Sequence, residues 1–515
     1  MPAPSALNDL STTTIVIGAL VTATITIVYT WRSHSHSIAS GAKSLNELPG
    51  PRPKPIIGNA RDFPTKARYQ AFSKYREQYG DIVHLRLPTF HLVLLSNLDD
   101  VEELLNKRAH IWSARPYNRM VDDYCGFAWG LITTQPTASF YEQRKVFRKV
   151  MGPHVVSEFD LLIEEESKNL IKNARGFSGD PHDIIHDATG AVVIRIAYGD
   201  KVHAQYGPEL VELNLSTMAF ITWSMSQLWI INLLPISQFI PTWFPGLQWP
   251  AVAKRGSELI SKLRHWVYNM IKEECERGTA DPSVISKYIG DSSISNESLR
   301  DGTALMYLGG VDTTGTALMA LFANLLVYPH VQKRLHQELD ATLPPGHFPT
   351  FADLESMQYL KATWNEALRV SPPVPGALPH VNSTDDIWNG YFFPKGTILI
   401  ANIGDLLRDP RKWGEDAHEF KPERFLPEYN PRAGEIPSVE SIVFGFGRRI
   451  ITESFSLSAI WGNDDNTSIC PGRHLAHRNG MMFAAALLST YEILPPVGEA
   501  PPDKIEYTPT QVRYG

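Results

Sequence analysis

Cys470 stands directly before Pro471-Gly472 and a helix-forming run that begins at Arg473. A cysteine in that position meets unpaired backbone N–H groups and the positive end of a helix dipole, and both favour thiolate over thiol. A lone cysteine is more often buried and inert, but this flanking pattern suits a metal ligand or a nucleophile. Upstream lies Phe444-Gly-Phe-Gly-Arg-Arg-Ile450, whose Gly447 and Arg449 suit a tight hairpin that carries positive charge. A second unusual segment is Gly309-Gly310-Val311-Asp312-Thr313-Thr314. Adjacent glycines weaken a helix by about 1 kcal/mol each relative to alanine, and a buried acid costs more unless it is partnered. Glycines also let a flat ligand approach the backbone, and a threonine hydroxyl that bonds to the carbonyl four residues earlier cuts a polar notch. A plain glycine kink with a satisfied core aspartate explains that hexapeptide alone about as well.

These groups need elements to hold them. The hexapeptide falls within a run from Ser298 to Tyr328 that is apolar on nearly every side from Ala304 to Leu326. That pattern predicts a helix in the middle of a protein, stopped by Pro329. Glu366 and Arg369, three residues apart, share one helical face. Such a pair is usually solvated, but Trp364, Leu368 and the stop at Pro372-Pro373 favour a buried one. Arg424, in the proline-broken loop Phe420-Lys-Pro-Glu-Arg-Phe425, is a third candidate member. Apolar periodicity predicts helices over Asp99–Ala109, Gln143–Met151, Glu258–Glu276, Thr316–Thr342 and about Arg473–Tyr491. Short β-branched runs predict strands at Ile82–Leu87, His91–Leu95 and Thr397–Ala401. The expected fold is mainly α with small β-sheets (α+β).

Composition narrows the function. The 48 Lys+Arg against 55 Asp+Glu give a net charge of −7, which argues against a nucleic-acid binder that lives on phosphate contacts. Cys125, Cys275 and Cys470 are far apart and form neither a disulfide framework nor a zinc-ligand spacing, so a reducing cytosolic setting is expected. From Leu10 to Trp31 no residue is charged. At ~1.5 Å per residue that run reaches about 33 Å, enough to cross a hydrocarbon core. Its threonines can bond back to helix carbonyls. Arg32, Lys43, Arg52 and Lys54 follow it, which puts the rest of the chain in the cytosol. A cleaved signal peptide is the alternative, but no Lys or Arg precedes Arg32. The expected organisation is an anchor over 1–31, a proline-rich linker over 32–58 (Pro49, Pro51, Pro53 and Pro55 stiffen it) and one domain over 59–515.

Taken together and in this order, the anchor, the proline-rich hinge, GGVDTT, EALR, FKPERF and FGFGRR…CPGRHLA resemble the cytochrome P450 family across nearly the whole chain. Gly376-Ala-Leu-Pro-His380 with the later NGYFFPKGT is similar to its membrane-bound fungal members. The resemblance implies haem b with Cys470 as the axial thiolate, in a loop that includes Phe444 and Gly447. It implies that Asp312 and Thr313, beside Gly309 and Gly310, guide protons to bound dioxygen. Arg144, His380 and Arg449 would meet the haem propionates, although Phe140 replaces the tryptophan usual four residues before Arg144. Glu366, Arg369 and Arg424 would form a structural lock. The implied activity is a monooxygenase that inserts one atom of O2 into a lipophilic small molecule of secondary metabolism or detoxification. Electrons would come from NADPH through a flavoprotein reductase, with cytochrome b5 as a further partner. The chain would sit as a single-pass protein on the endoplasmic reticulum membrane, its catalytic domain cytosolic. The aromatic stretch from Phe220 to Pro250 would cover an apolar pocket or dip into the lipid bilayer, unless it is plain core.

Two departures qualify that expectation. Residues 451–469 interrupt a loop that relatives run without a break, and removing them restores FGFGRRICPGRHLA. A mis-spliced or inactive product unable to bind haem is therefore a second reading, while a genuine insert must leave and return at nearly one point. The run after Glu506 is also short where relatives continue into a last strand. A third reading keeps haem but dispenses with the reductase, and Asp312-Thr313 weighs against it.

Overall fold

The computed structural model describes residues 46–503, apart from 66–67, 136, 241–247 and 448–469, together with residue 505. Its long helices are, in chain order, α1 (Arg68–Tyr79), α2 (Ala138–Met151), α3 (Asp160–Ala174), α4 (His182–Tyr198), α5 (Asp200–Ser226) and α6 (Trp249–Arg277). They continue with α7 (Asn296–Val327), α8 (Pro329–Thr342), α9 (Gln358–Val370) and α10 (Arg473–Leu488). The strands are β1 (Ile82–Arg86), β2 (His91–Leu95), β3 (His380–Val381), β4 (Asp386–Trp388), β5 (Tyr391–Phe393) and β6 (Ile398–Ala401). Mainly α with small sheets is what the chain adopts. The anchor expected over 1–31 lies outside the described residues.

α7 is the axis. Ser295 caps it by accepting from the Ser298 amide at 3.2 Å. It packs against α2, α4, α5, α6, α9 and α10, which is why its sequence is apolar all round. The helix is long and apolar enough to cross a membrane, yet 78% of its most apolar window is buried inside the protein. The periodicity that predicted one helix over Thr316–Thr342 belongs to two. Pro329 has no N–H to donate and disfavours helical backbone before it, and Tyr328 accordingly sits at φ −121 and ψ 67.

The expected helix over Asp99–Ala109 is likewise broken. It becomes an α-turn at Leu98–Val101, a π-helical stretch at Glu102–Lys107 and another α-turn at Ala109–Trp112. The π-helical stretch carries Asn106, whose Oδ1 accepts from the Gly447 amide at 2.8 Å. The main sheet runs β1-β2-β6-β3: β2 pairs antiparallel with β1 and parallel with β6, and β3 closes antiparallel on β6. β4 and β5 form a separate hairpin turned by Asn389 and Gly390, both at positive φ as a two-residue primed turn requires. α10 ends at Leu488, short of the expected Tyr491. It lies so close to α9 that a Cβ on Gly480 would stand 2.1 Å from the Trp364 ring.

Candidate functional site

The two halves of the cysteine loop meet across the inserted run. The Cys470 amide donates to the Phe444 carbonyl at 2.9 Å. Gly445 and Gly447, both at φ 97, take left-handed conformations that other residues resist, which explains the glycine spacing. Arg449 and residues 451–469 lie outside the described residues. Cys470 thus sits at the amino end of α10. A Cβ on Gly472 would stand 3.9 Å from both the Cys470 Sγ and the Met151 sulfur at the end of α2, ordinary contact distances that place both sulfurs beside the start of α10.

Cys470 is exposed. Burial nonetheless pushes its thiol pKa up, opposed by the Gly472 N–H and by the Arg144 and Arg473 guanidiniums. The two observations agree if the sulfur faces open space within dense protein. They also correct the expectation that the helix amino end alone favours thiolate. The N–H groups and cations act in that direction, but desolvation outweighs them. A metal ion would reverse the balance, because a coordinating thiol is deprotonated outright.

α7 supplies the second wall. The Thr313 Oγ1 donates to the Gly309 carbonyl at 2.7 Å, the back-bond its sequence position predicts. From α4, the Thr189 Oγ1 donates to the Val311 carbonyl at 3.1 Å. The adjacent glycines are not equivalent. Nothing lies within 4 Å of where a Cβ on Gly309 would stand, whereas one on Gly310 would approach Val193 to 2.8 Å. Gly309 therefore opens a face of the helix. The expectation that Gly310 also admits a ligand is corrected, since its missing side chain is taken up by packing against α4. Asp312 points towards His186 of α4, with Oδ1 3.8 Å from Nε2.

A third group gathers near β3. The Val381 amide bonds the Ala114 carbonyl and brings His380 beside Arg115. The His380 Nδ1 bonds the Trp112 carbonyl at 2.7 Å. The Arg115 Nη1 donates to the Leu378 and Pro379 carbonyls at 3.1 and 2.7 Å, while its buried Nε has no partner. No carboxylate among the described residues pairs with this guanidinium, and burial pushes its pKa down to about 10. Such a cation is suited to an anion that reaches it from inside the protein.

Glu366, Arg369 and Arg424 form one buried network. Arg369 donates to the Glu366 oxygens at 2.7 and 2.8 Å, Arg424 at 2.9 Å and the Lys421 amide at 2.8 Å. The remaining Arg369 donors take the carbonyls of Leu407, Ala417 and Glu419, and Arg424 takes those of Trp413 and Asp416. With its donors used internally, this cluster ties α9 to the segment that leads into the cysteine loop. The aromatic stretch from Phe220 divides: Phe220, Ile221, Ile231 and Trp249 are buried, while Trp223, Ile230 and Phe239 are exposed. A shallow groove of about 520 Å³ on the outer face of α6, from Ser257 to Asn269, is lined by none of these groups.

Sequence reasoning missed Arg115 and His186. The first offered only a charge in an apolar neighbourhood, Ile111-Trp-Ser-Ala-Arg115. The second had a usable signal, because His182 and His186 stand one turn apart on the same face of a helix.

The sequence model described as Cytochrome P450 matches residues 48–450, and the match ends where the inserted run begins. The chain is 30% identical over 485 residues to the cytochrome P450 monooxygenase eriA of Hericium erinaceus, covering 91% of this chain and 87% of that one. It is 28% identical over 459 residues to cytochrome P450 monooxygenase 208 of Postia placenta, covering 86% and 83%. It is 29% identical over 457 residues to cytochrome P450 monooxygenase claR of Ampulloclitocybe clavipes, covering 88% and 81%.

Proposed function

The chain belongs to the cytochrome P450 family, and on that premise we propose that it is a haem-thiolate monooxygenase acting on a lipophilic small molecule of secondary metabolism or detoxification. The observation that carries the reading is the Cys470–Phe444 bond, which keeps the cysteine at the head of α10 although residues 451–469 intervene. The residues present fit haem b. A soft sulfur ligand faces open space, the Gly309 face of α7 leaves room for a flat group, and the unpaired Arg115 Nε suits a carboxylate.

In that reading Cys470 holds the iron, assisted by the Gly472 N–H, Arg144 and Arg473. Arg144, Arg115, His380 and Arg449 are the partners for the propionates. Bound haem would supply the dioxygen binding and one-electron chemistry that side chains lack. Thr313 keeps a hydroxyl on α7, fixed by the Gly309 carbonyl, and with Asp312 one residue earlier it would guide protons to the site. The buried part of the Phe220–Pro250 stretch bounds the substrate space. In the same reading an anchor at 1–31 and a linker at 32–58 would hold the domain 59–515 at the cytosolic face of the endoplasmic reticulum, and the exposed Trp223, Ile230 and Phe239 are consistent with a membrane-facing side. There a reductase carrying electrons from NADPH, and cytochrome b5, are the partners. Glu366, Arg369 and Arg424 hold the fold together and take no part in chemistry.

A second reading, a non-catalytic product in which the insert disables the loop, is favoured by one observation: the family match stops at Ile450. The full-length chain and a variant lacking 451–469, each supplied with NADPH and a P450 reductase, separate the readings. Haem retained and NADPH consumed by the full chain supports the first. Haem retained only after the deletion supports the second. Turnover with peroxide but none with NADPH contradicts the reductase-dependent reading.

A further inference from the structure

The Asp312 carboxylate has a neighbour that its own helix does not contain. His186 is 1% exposed, and its ring lies in the groove left by Gly315, where a Cβ would come within 2.7 Å of Nε2. The His186 Nδ1 bonds the His182 carbonyl at 2.7 Å. A carbonyl can only accept, so Nδ1 carries the hydrogen and the neutral ring presents a bare lone pair at Nε2. That buried nitrogen has no hydrogen bond, and the Asp312 Oδ1 is 3.8 Å away. A lone pair facing an acid is satisfied only by a proton between them. Bonds of this kind often stand long until a site is filled. Outward, the His182 ring stacks on His186 at 4.1 Å and bonds Asp183 at 2.9 Å, and the Asp183 side chain is 92% exposed. The pair therefore lies one ring from solvent.

We propose that His186 and Asp312 share one proton, His186 being the positioning residue that orients the Asp312 carboxyl. The exchange is Asp312–COOH with neutral His186 against Asp312–COO⁻ with His186–H⁺, so one proton moves along the Nε2–Oδ1 line and no electrons do. The groups acting on the ring are known. Burial lowers its proton affinity most and His182 lowers it further, while Asp183 and the His182 and Asp312 main-chain carbonyls raise it. The inference rests on the haem-thiolate reading for its use of the proton but not for the existence of the pair.

The test uses the full-length protein and the variants Asp312→Asn, His186→Phe and His186→Asn. Infrared difference spectra on exchange from H2O to D2O read the carboxyl group directly, with or without haem. The expected result is one carboxyl signal that Asp312→Asn removes and His186→Phe shifts. A signal unmoved in both His186 variants overturns the proposal. With reductase present, His186→Phe is expected to slow NADPH oxidation about tenfold and to steepen its dependence on solvent deuterium, with His186→Asn partly restoring it. Unchanged rates in both variants also overturn it. Failure of every variant and the parent to bind haem as a thiolate complex would sink the functional reading, while the infrared result would still decide the pair. If His186→Phe does not fold, His186→Asn carries both readouts.

Discussion

Two acids on neighbouring helices, Glu366 fully buried and Asp312 half-buried, are treated in opposite ways. Glu366 accepts from Arg369, Arg424 and the Lys421 amide, and the guanidiniums spend other donors on carbonyls and on the Asp416 carboxylate. Asp312 lies 3.8 Å from a buried histidine nitrogen that no side chain satisfies. A complete polar network rigidifies, and an incomplete one is costly unless something passes through it. The first arrangement is architecture, and the second is the one proposed to share a proton.

The difference can be broken by substitution. The largest effect is expected at Glu366. Replacing it with leucine leaves the fully buried Arg369 without a carboxylate and should cost about 3–5 kcal/mol in denaturant unfolding followed by circular dichroism. A loss below about 1 kcal/mol would erase the contrast.

Acid acts on the other cluster. Burial pulls His186 down to about 4 from an ordinary 6.5, so the unfolded chain takes up the proton first. Its contribution is complete above about 6.5 and fades as pH falls towards 4, about 2 kcal/mol being lost near pH 5. His84, pushed to about 4 by burial, acts in the same sense. Unfolding free energies at pH 7 and pH 5 should therefore differ less in His186→Phe than in the parent. Equal slopes would remove His186 from the account.

The adjacent glycines sharpen the contrast on α7 itself. Gly310→Ala should cost about 1–3 kcal/mol, because its methyl group meets Val193. Gly309→Ala, with nothing within 4 Å, should stay within about 1 kcal/mol of the parent while reducing haem retention. Thermal unfolding of the two apoproteins checks the pair, and equal losses would show that neither face is open. The smallest effect is expected for Thr313→Val. Its half-buried bond to Gly309 should be worth less than about 1 kcal/mol, yet NADPH oxidation should become strongly proton-limited.

What could be read in advance follows from separation along the chain. Glu366 and Arg369 announce themselves three residues apart, and the Thr313 back-bond needs only its own helix. The central position of α7 was legible because a helix apolar on every side has to be surrounded. The partition of Gly309 and Gly310 was not, since it depends on Val193 arriving from α4. The His186–Asp312 approach and the Arg115 bonds to the Leu378 and Pro379 carbonyls join distant segments, and no local spacing announces either. Desolvation of Cys470 was hidden for the same reason: the dipole is a property of its helix, while burial is a property of everything around it. Proline and π-helical breaks moved boundaries without moving the chemistry.

The proposed function stands or falls with Cys470 serving as a metal ligand despite the run before it. The absorbance of the reduced, carbon-monoxide-bound full-length protein tests this most directly, with Cys470→Ser as the control. The account predicts a thiolate-type band from the unaltered chain that the serine variant lacks. A band that forms only after residues 451–469 are removed, or one that survives in Cys470→Ser, would contradict it.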